Sequence, residues 1–242
     1  MEWLAKDETE VWTTEANAPL ARFASRVDTI AGSGLDSLGL PESTLRRLTD
    51  FDAIFSWYGT NRAEFREAVG HLPFQFFPAL PKEGCRVPAV DYYLSQVGAP
   101  SGLTPRLPVA RRNDGYAVIH PFSGGRRKNW PIANYRRVAA ALDMPVCWSA
   151  GPEESLEGAT RFDSLWDLAE WLAGASLYVG NDSGITHLAA ACGVPVIAIF
   201  IESDPVVWAP RGEAVTVVDR PQSVDEVISA SRRRLRGSSP PE

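Results

Sequence analysis

Cysteine, histidine and methionine are all scarce: the 242-residue chain holds 3, 3 and 2 of them. Cys85, Cys147 and Cys192 stand singly, which excludes a disulfide framework and a C-x-x-C metal knuckle and leaves them as small buried hydrophobes. His71, His120 and His187 show neither H-x-x-x-H nor H-E-x-x-H spacing, so no protein-built metal site is expected. No run approaches the roughly 18 uninterrupted apolar residues that cross a bilayer, and Met1–Asp7 lacks the basic-then-apolar layout of a signal peptide. The chain reads as cytosolic. Positive charge is not in excess either. With 24 Lys and Arg against 30 Asp and Glu, the net charge of −6 has the wrong sign for a nucleic-acid binder. A composition of 45% hydrophobic and 22% charged residues suits an ordinary globular chain, long enough for one large domain or two small ones.

From about Tyr116 short apolar runs alternate with amphipathic stretches, the signature of βαβ units around a parallel sheet. The expected strands are Tyr116 to His120, Pro145 to Ser149, Leu177 to Gly180, Val194 to Ile201 and Ala214 to Val218. Helices are expected near Ile132 to Leu142, Leu165 to Ala173, Ile185 to Cys192 and Val224 to Arg234. That is a doubly wound, Rossmann-like domain. The first half repeats the rhythm more weakly, with runs at Glu10 to Thr13, Val27 to Ala31, Ala53 to Trp57 and Phe74 to Phe77. Between the halves, Gly98 to Gly115 is rich in Gly and Pro without an apolar period and reads as a linker. The tail from Arg232 reads as a fraying helix end followed by disorder.

The strongest feature is Leu177 to Pro195, LYVGNDSGITHLAAACGVP: a strand, a polar turn, a small-residue helix and another strand. Such a turn sets a helix N-terminus at the carboxyl end of a parallel strand. Unpaired N–H groups and the helix dipole there receive an anion, and Gly184 lets a phosphate approach the backbone. Asp182 and Ser183 flank that mouth, and His187 faces the same side one turn on. A plainer reading also stands, in which Asp182 or Ser183 only caps a structural helix and His187 is a core histidine. A Ser-His-Asp hydrolase lacks its G-x-S-x-G elbow.

The second feature, Val118 to Pro131, opens a strand into the Gly-rich cationic loop Ser123-Gly124-Gly125-Arg126-Arg127-Lys128 ahead of a helix. Gly124 and Gly125 let the backbone curl, and Lys128 can reach a diphosphate. The alternative is a solvated basic turn. Trp130-Pro131 suits the start of the next helix better than a ligand contact.

Together these stretches resemble glycosyltransferase family nine, the heptosyltransferase-like enzymes of the GT-B fold, over most of Tyr116 to Gly212. The family's marks are a strand ending in H-P-G-S-G, a nearby K-x-W-P, and G-N-D-S-G-x-x-H-L-A-A-A followed by G-x-P. They stand here as His120 to Gly124, Lys128 to Pro131, Gly180 to Ala191 and Gly193 to Pro195, with Phe122 replacing the usual glycine. The resemblance implies an α/β chain of two Rossmann-like, GT-B-like domains: residues 1–104 as an abbreviated acceptor-side domain and 105–242 as the donor domain. It implies an inverting, metal-independent transfer, without cofactor, of a sugar from a nucleotide-diphosphate donor, typically ADP-heptose, to a glycan or glycolipid acceptor. Carried over by position, Ser123, Gly124, Lys128, Asp182, Ser183 and Gly184 meet the diphosphate with support from His187. Glu153 or Glu154 meets the ribose. Lipid-linked acceptors imply peripheral contact with the inner membrane face, for which the sequence offers only Arg232, Arg233, Arg234 and Arg236.

The resemblance also exposes a gap. The family's general base is an aspartate in a Gly-Asp loop after the first strand, and no such loop is present. The chain enters at Trp3-Leu4-Ala5-Lys6, read as the helix after that strand, and proceeds to Glu10-Val11-Trp12-Thr13-Thr14. Losing a central strand leaves neighbours with unpaired backbone. A truncated start, a rearranged sheet or closure by a partner chain, as in a homodimer, would each resolve it. Glu15 is the substitute base on offer, and a catalytically silent nucleotide-sugar-binding protein or partner subunit is the rival reading; an epimerase or hydrolase of similar fold is the third. Asp50-Phe51-Asp52 and Gly32-Ser33-Gly34 imitate a metal and a dinucleotide motif without the right context.

Overall fold

The computed structural model describes residues 8–37 and 39–237, so the expectations placed on Trp3–Lys6 and on residues 238–242 lie outside the described residues. The chain forms two compact units, one running to Cys85 and taking in Asp91–Ser101, the other comprising Arg86–Val90 and the chain from Gly102.

The second unit is built on a parallel sheet of β5 (Ala117–His120), β6 (Val146–Trp148), β7 (Leu177–Asn181), β8 (Val196–Phe200) and β9 (Val215–Asp219), in the order β6-β5-β7-β8-β9. Every residue of β5, β7 and β8 is buried, which is why these strands read as continuous rather than alternating apolar runs. Ala117, Ile119, Leu177, Val179, Ile197 and Ile199 pack on one face with α5 (Ile132–Ala141) and α9 (Val224–Gly237). The alternate residues face α6 (Leu165–Leu172) and α7 (Gly184–Ala191), where the Tyr178 hydroxyl meets Thr186. Helices thus cover both faces, and the strand order reverses between β5 and β7, the switch point at which doubly wound sheets take ligands.

Two expectations change here. Much of the Gly98–Gly115 segment is docked on the second unit: Leu107 N–H donates to Ala191, and the Arg111 guanidinium reaches the carbonyls of Ala173 and Ala175. Irregular backbone can bind a sheet's rim without any apolar period, so composition cannot separate it from a linker. Nor does the helix end fray at Arg232. α9 runs on to Gly237, with Arg232 donating to the Ala141 carbonyl at the surface and the half-buried Arg234 gripping Thr216.

The first unit holds two separate parallel pairs, β1 (Glu10–Thr13) with β2 (Arg26–Thr29) and β3 (Ile54–Ser56) with β4 (Phe74–Phe76). The expected strand to Ala31 stops at Thr29 because the Thr29 hydroxyl accepts from Gly32 N–H and caps α1 (Ile30–Ser33), which ends on left-handed Gly34. Leu35, Phe65 and Val69 form a small core with Trp12, Tyr58, Phe74 and Phe76 around it. Arg47 pairs with Glu10 and Asp28 beneath the Trp12 ring. Cys192 is buried, whereas Cys85 and Cys147 are partly exposed. Among the described residues no helix is long and apolar enough to cross a membrane.

Candidate functional site

The site gathers at the carboxyl ends of β5, β7 and β8. Its keystone is Asn181, the last residue of β7 and wholly buried. Its Oδ1 accepts from Trp130 N–H at 2.9 Å and from the Tyr135 hydroxyl at 2.8 Å, and its Nδ2 donates to the Pro121 carbonyl at 2.8 Å. One amide therefore ties the loop after β5 at both of its ends to the end of β7. Gly180, just before Asn181 in β7, is also constrained: a methyl there would strike the ring and hydroxyl of the buried Tyr178.

Beyond Asn181 the chain turns through Asp182 and Ser183 into α7. Ser183 is the N-cap, its Oγ accepting from Thr186 N–H. The amides of Gly184 and Ile185, in the first turn, have no intrahelical acceptor and lie at the positive end of the dipole. Gly184 itself is unconstrained by the fold, since a methyl added there meets nothing within 4 Å. What glycine preserves at this helix mouth is open space.

Lys128 closes a short 3-10 turn, Arg126–Lys128, and its Nζ stands 2.7 Å from Oδ2 of Asp182. The carboxylate is buried, and the ammonium is about a third exposed. Ser203, after β8, donates to the same Oδ2 at 2.5 Å. Asp182 thus gathers a cation and a hydroxyl from the flanking loops and holds Lys128 at the helix mouth. Ser123 turns inward, donating to Asn129 Oδ1 at 2.7 Å and lying 2.9 Å from the Gly125 carbonyl, so that it shapes the loop. Gly124 has open space beside it. His187 is exposed, yet the protein packed around its ring lowers its pKa, against the opposing pull of Asp182 and a hydrogen bond to the Trp208 backbone.

The loop after β6 separates the two glutamates. Glu153 is exposed, whereas Glu154 accepts from Gly151 N–H through Oε2 at 2.6 Å and lies 3.8 Å from Nε2 of His120. Glu15 stands exposed in the turn after β1, in the first unit. Among the described residues no cluster of three or more His, Cys, Asp or Glu is arranged to hold a metal ion.

The clasp of Asn181, the hydroxyl of Ser203 and the Tyr178–Thr186 pair escaped the reading of motifs. Asn181 carried a signal, a lone polar residue ending a wholly apolar strand, while Ser203 carried none. Trp130 is buried, its ring edge-on to Tyr135 and its N–H spent on Asn181, as befits a helix-start anchor.

These features define the class: a doubly wound α/β protein with a polar, cationic site at the switch point of its parallel sheet. The chain belongs to glycosyltransferase family 9 (heptosyltransferase), whose model matches residues 98–231. Lipopolysaccharide heptosyltransferase 1 of Salmonella typhimurium is 33% identical over an alignment covering 38% of this chain and 34% of that protein. Lipopolysaccharide heptosyltransferase 3 of Escherichia coli K12 is 31% identical, covering 42% and 35%. The chain spans about a third of the length of these curated relatives. Among solved structures, E. coli ADP-heptose lps heptosyltransferase II superposes with a TM-score of 0.71 at 16% identity, covering 94% of this chain and 89% of that one. E. coli heptosyltransferase WaaC with ADP superposes with 0.65 at 17% identity, covering 92% and 89%. The fold is therefore that of the GT-B heptosyltransferases.

Proposed function

We propose that the protein binds a nucleotide-diphosphate sugar, ADP-heptose by analogy with its relatives, and transfers the sugar to a glycan or glycolipid acceptor held by the first unit. The observation that carries this reading is the Lys128 ammonium held at 2.7 Å from Asp182 beside the open mouth of α7. A diphosphate seated there meets orphan amides at Gly184 and Ile185 and a positioned cation, while Asp182 stays behind as the anchor that holds Lys128 and Ser203. In the transfer, the acceptor oxygen bonds to the anomeric carbon as the bond to the diphosphate breaks with inversion. The electron pair leaves on the diphosphate, and the acceptor proton passes to a carboxylate, for which Glu15 is the candidate. Positive charge from Lys128 and the helix dipole stabilises the departing diphosphate in the role a divalent ion plays elsewhere.

Calorimetric titration of ADP and ADP-heptose into the wild type and Lys128→Ala tests the donor site. The variant should lose about 1.5–3 kcal/mol, as for a charged hydrogen bond; an unchanged affinity overturns the assignment. One observation favours a second reading, a silent sugar-nucleotide-binding subunit: Glu15, the candidate base, stands exposed to solvent in the turn after β1. Tight donor binding with no turnover, indifferent to Glu15→Ala, selects that reading.

A further inference from the structure

His120, the last residue of β5, has no part in the proposed transfer, yet it is among the most constrained side chains of the site. Its Nδ1 lies 3.1 Å from the Ser149 carbonyl. A carbonyl only accepts, so Nδ1 carries the proton and the neutral ring presents its lone pair at Nε2. The ring is buried, with Phe122 packed edge-on at 6.0 Å between centroids. Phe122 occupies the place where the family pattern has glycine, and its phenyl group is the wall on that side of the imidazole. Burial lowers the pKa of the ring, with the charge of Glu154 opposing, which favours the neutral form.

Nε2 faces Oε2 of Glu154 at 3.8 Å, too long for a hydrogen bond. Glu154 is meanwhile held by its own loop. Gly151 N–H donates to Oε2, and Arg161 takes the main-chain carbonyls of Glu154 at 2.7 Å and Leu156 at 3.2 Å. The carboxylate is thus drawn by an amide on one side and faced by a lone pair on the other. The amide anchors Oε2 and the fixed imidazole bounds it on the far side, so that Oε1 is the oxygen turned to a ligand.

We infer that His120 is a positioning residue for the nucleoside half of the site: fixed by Ser149 and walled by Phe122, it sets the orientation in which Glu154 accepts hydrogen bonds from a vicinal diol, the ribose of the bound nucleotide. This rests on the reading that Glu154 receives the ribose. The diphosphate end, at Lys128 and α7, is independent of it.

The test compares ADP, 2′-deoxy-ADP and pyrophosphate as calorimetric probes on the wild type, His120→Asn and Glu154→Gln. Asparagine keeps a donor toward Ser149 and removes Nε2. The wild type should prefer ADP to 2′-deoxy-ADP. His120→Asn should lose roughly tenfold in ADP affinity, the equivalent of one hydrogen bond, and with it most of that preference, while pyrophosphate binds as before. Glu154→Gln should behave alike, and the double variant should be no weaker than Glu154→Gln. If Glu154→Gln abolishes the preference and folded His120→Asn retains it, the role of His120 is overturned and the ribose reading survives. If Glu154→Gln retains the preference, both fall. Should His120→Asn fail to fold, long-range ¹⁵N–¹H spectra of the wild-type imidazoles decide: with 3 histidines the rings are readily assigned. A shift of His120 Nε2 with ADP but not pyrophosphate supports the inference, and an unmoved resonance with ADP overturns it.

Discussion

In the first unit, Val11 is the one buried residue in the strands β1 to β4; in the second, β5, β7 and β8 contain nothing else. The same alternation of strand and helix is held in two ways. A parallel sheet covered on both faces leaves polar side chains tolerable only where its strands end, and there each must find partners. Asn181, Asp182 and His120 occupy those ends and are all buried. In the first unit, half-buried strands lean on an aromatic cluster and on the Arg47 network instead. The region with the more demanding core also has the more completely specified site, because every buried polar group is confined to one arrangement.

The comparison is tested most severely at Phe65, whose ring contacts Tyr58, Phe74 and Phe76 at centroid distances of 5.8, 5.9 and 6.0 Å. Phe65→Ala should cost about 3–5 kcal/mol. Hydrogen exchange should accelerate across the first unit, while amides of β5 and β7 keep their protection and ADP binds with unchanged affinity. Equal loss of protection in both units would break the contrast. Somewhat smaller is the effect of Asn181→Ala, which strands the Trp130 amide, the Tyr135 hydroxyl and the Pro121 carbonyl. Each unsatisfied buried group costs about 1–3 kcal/mol, part of it recovered by water or by relaxation of the loop. ADP affinity should fall as well, since the segment carrying Lys128 loses its tether. Preserved affinity in a destabilised Asn181→Ala protein would show that the clasp serves stability alone.

Strand positions were legible in both units, and side-chain pairings in neither. Strands buried on both faces announce themselves as unbroken apolar runs, so β5, β7 and β8 were readable to within a residue or two, and the turn at Asp182–Gly184 followed from strand and helix meeting. In the first unit the weaker runs mark β1, β3 and β4 to within a residue, and only β2 departs, because a threonine that caps α1 looks identical to one that prolongs a strand. In the site, Lys128 and Asp182 could each be named from sequence, but not their pairing, because 54 residues separate them and only the β5–β7 register brings them together. Glu154 and Glu153 were indistinguishable for the same reason: their difference lies in Gly151 N–H and His120, one local and one distant.

The finest discrimination comes from one substitution made twice. Gly59 in the first unit has φ of +72° and packs against Phe65, so that a methyl there collides with the ring. Gly184 has neither constraint. Gly59→Ala should destabilise by more than about 1 kcal/mol through left-handed strain and the displaced ring, with ADP binding untouched. Gly184→Ala should leave thermal stability unchanged or raise it by up to about 1 kcal/mol, as alanine replaces glycine in a helix. On the proposed seat of the diphosphate its methyl group fills the space beside the backbone, so ADP affinity should drop although the protein is no less stable. A Gly184→Ala protein that binds ADP as the wild type does would mean that the diphosphate sits away from the mouth of α7, and the open space at Gly184 would then need another explanation.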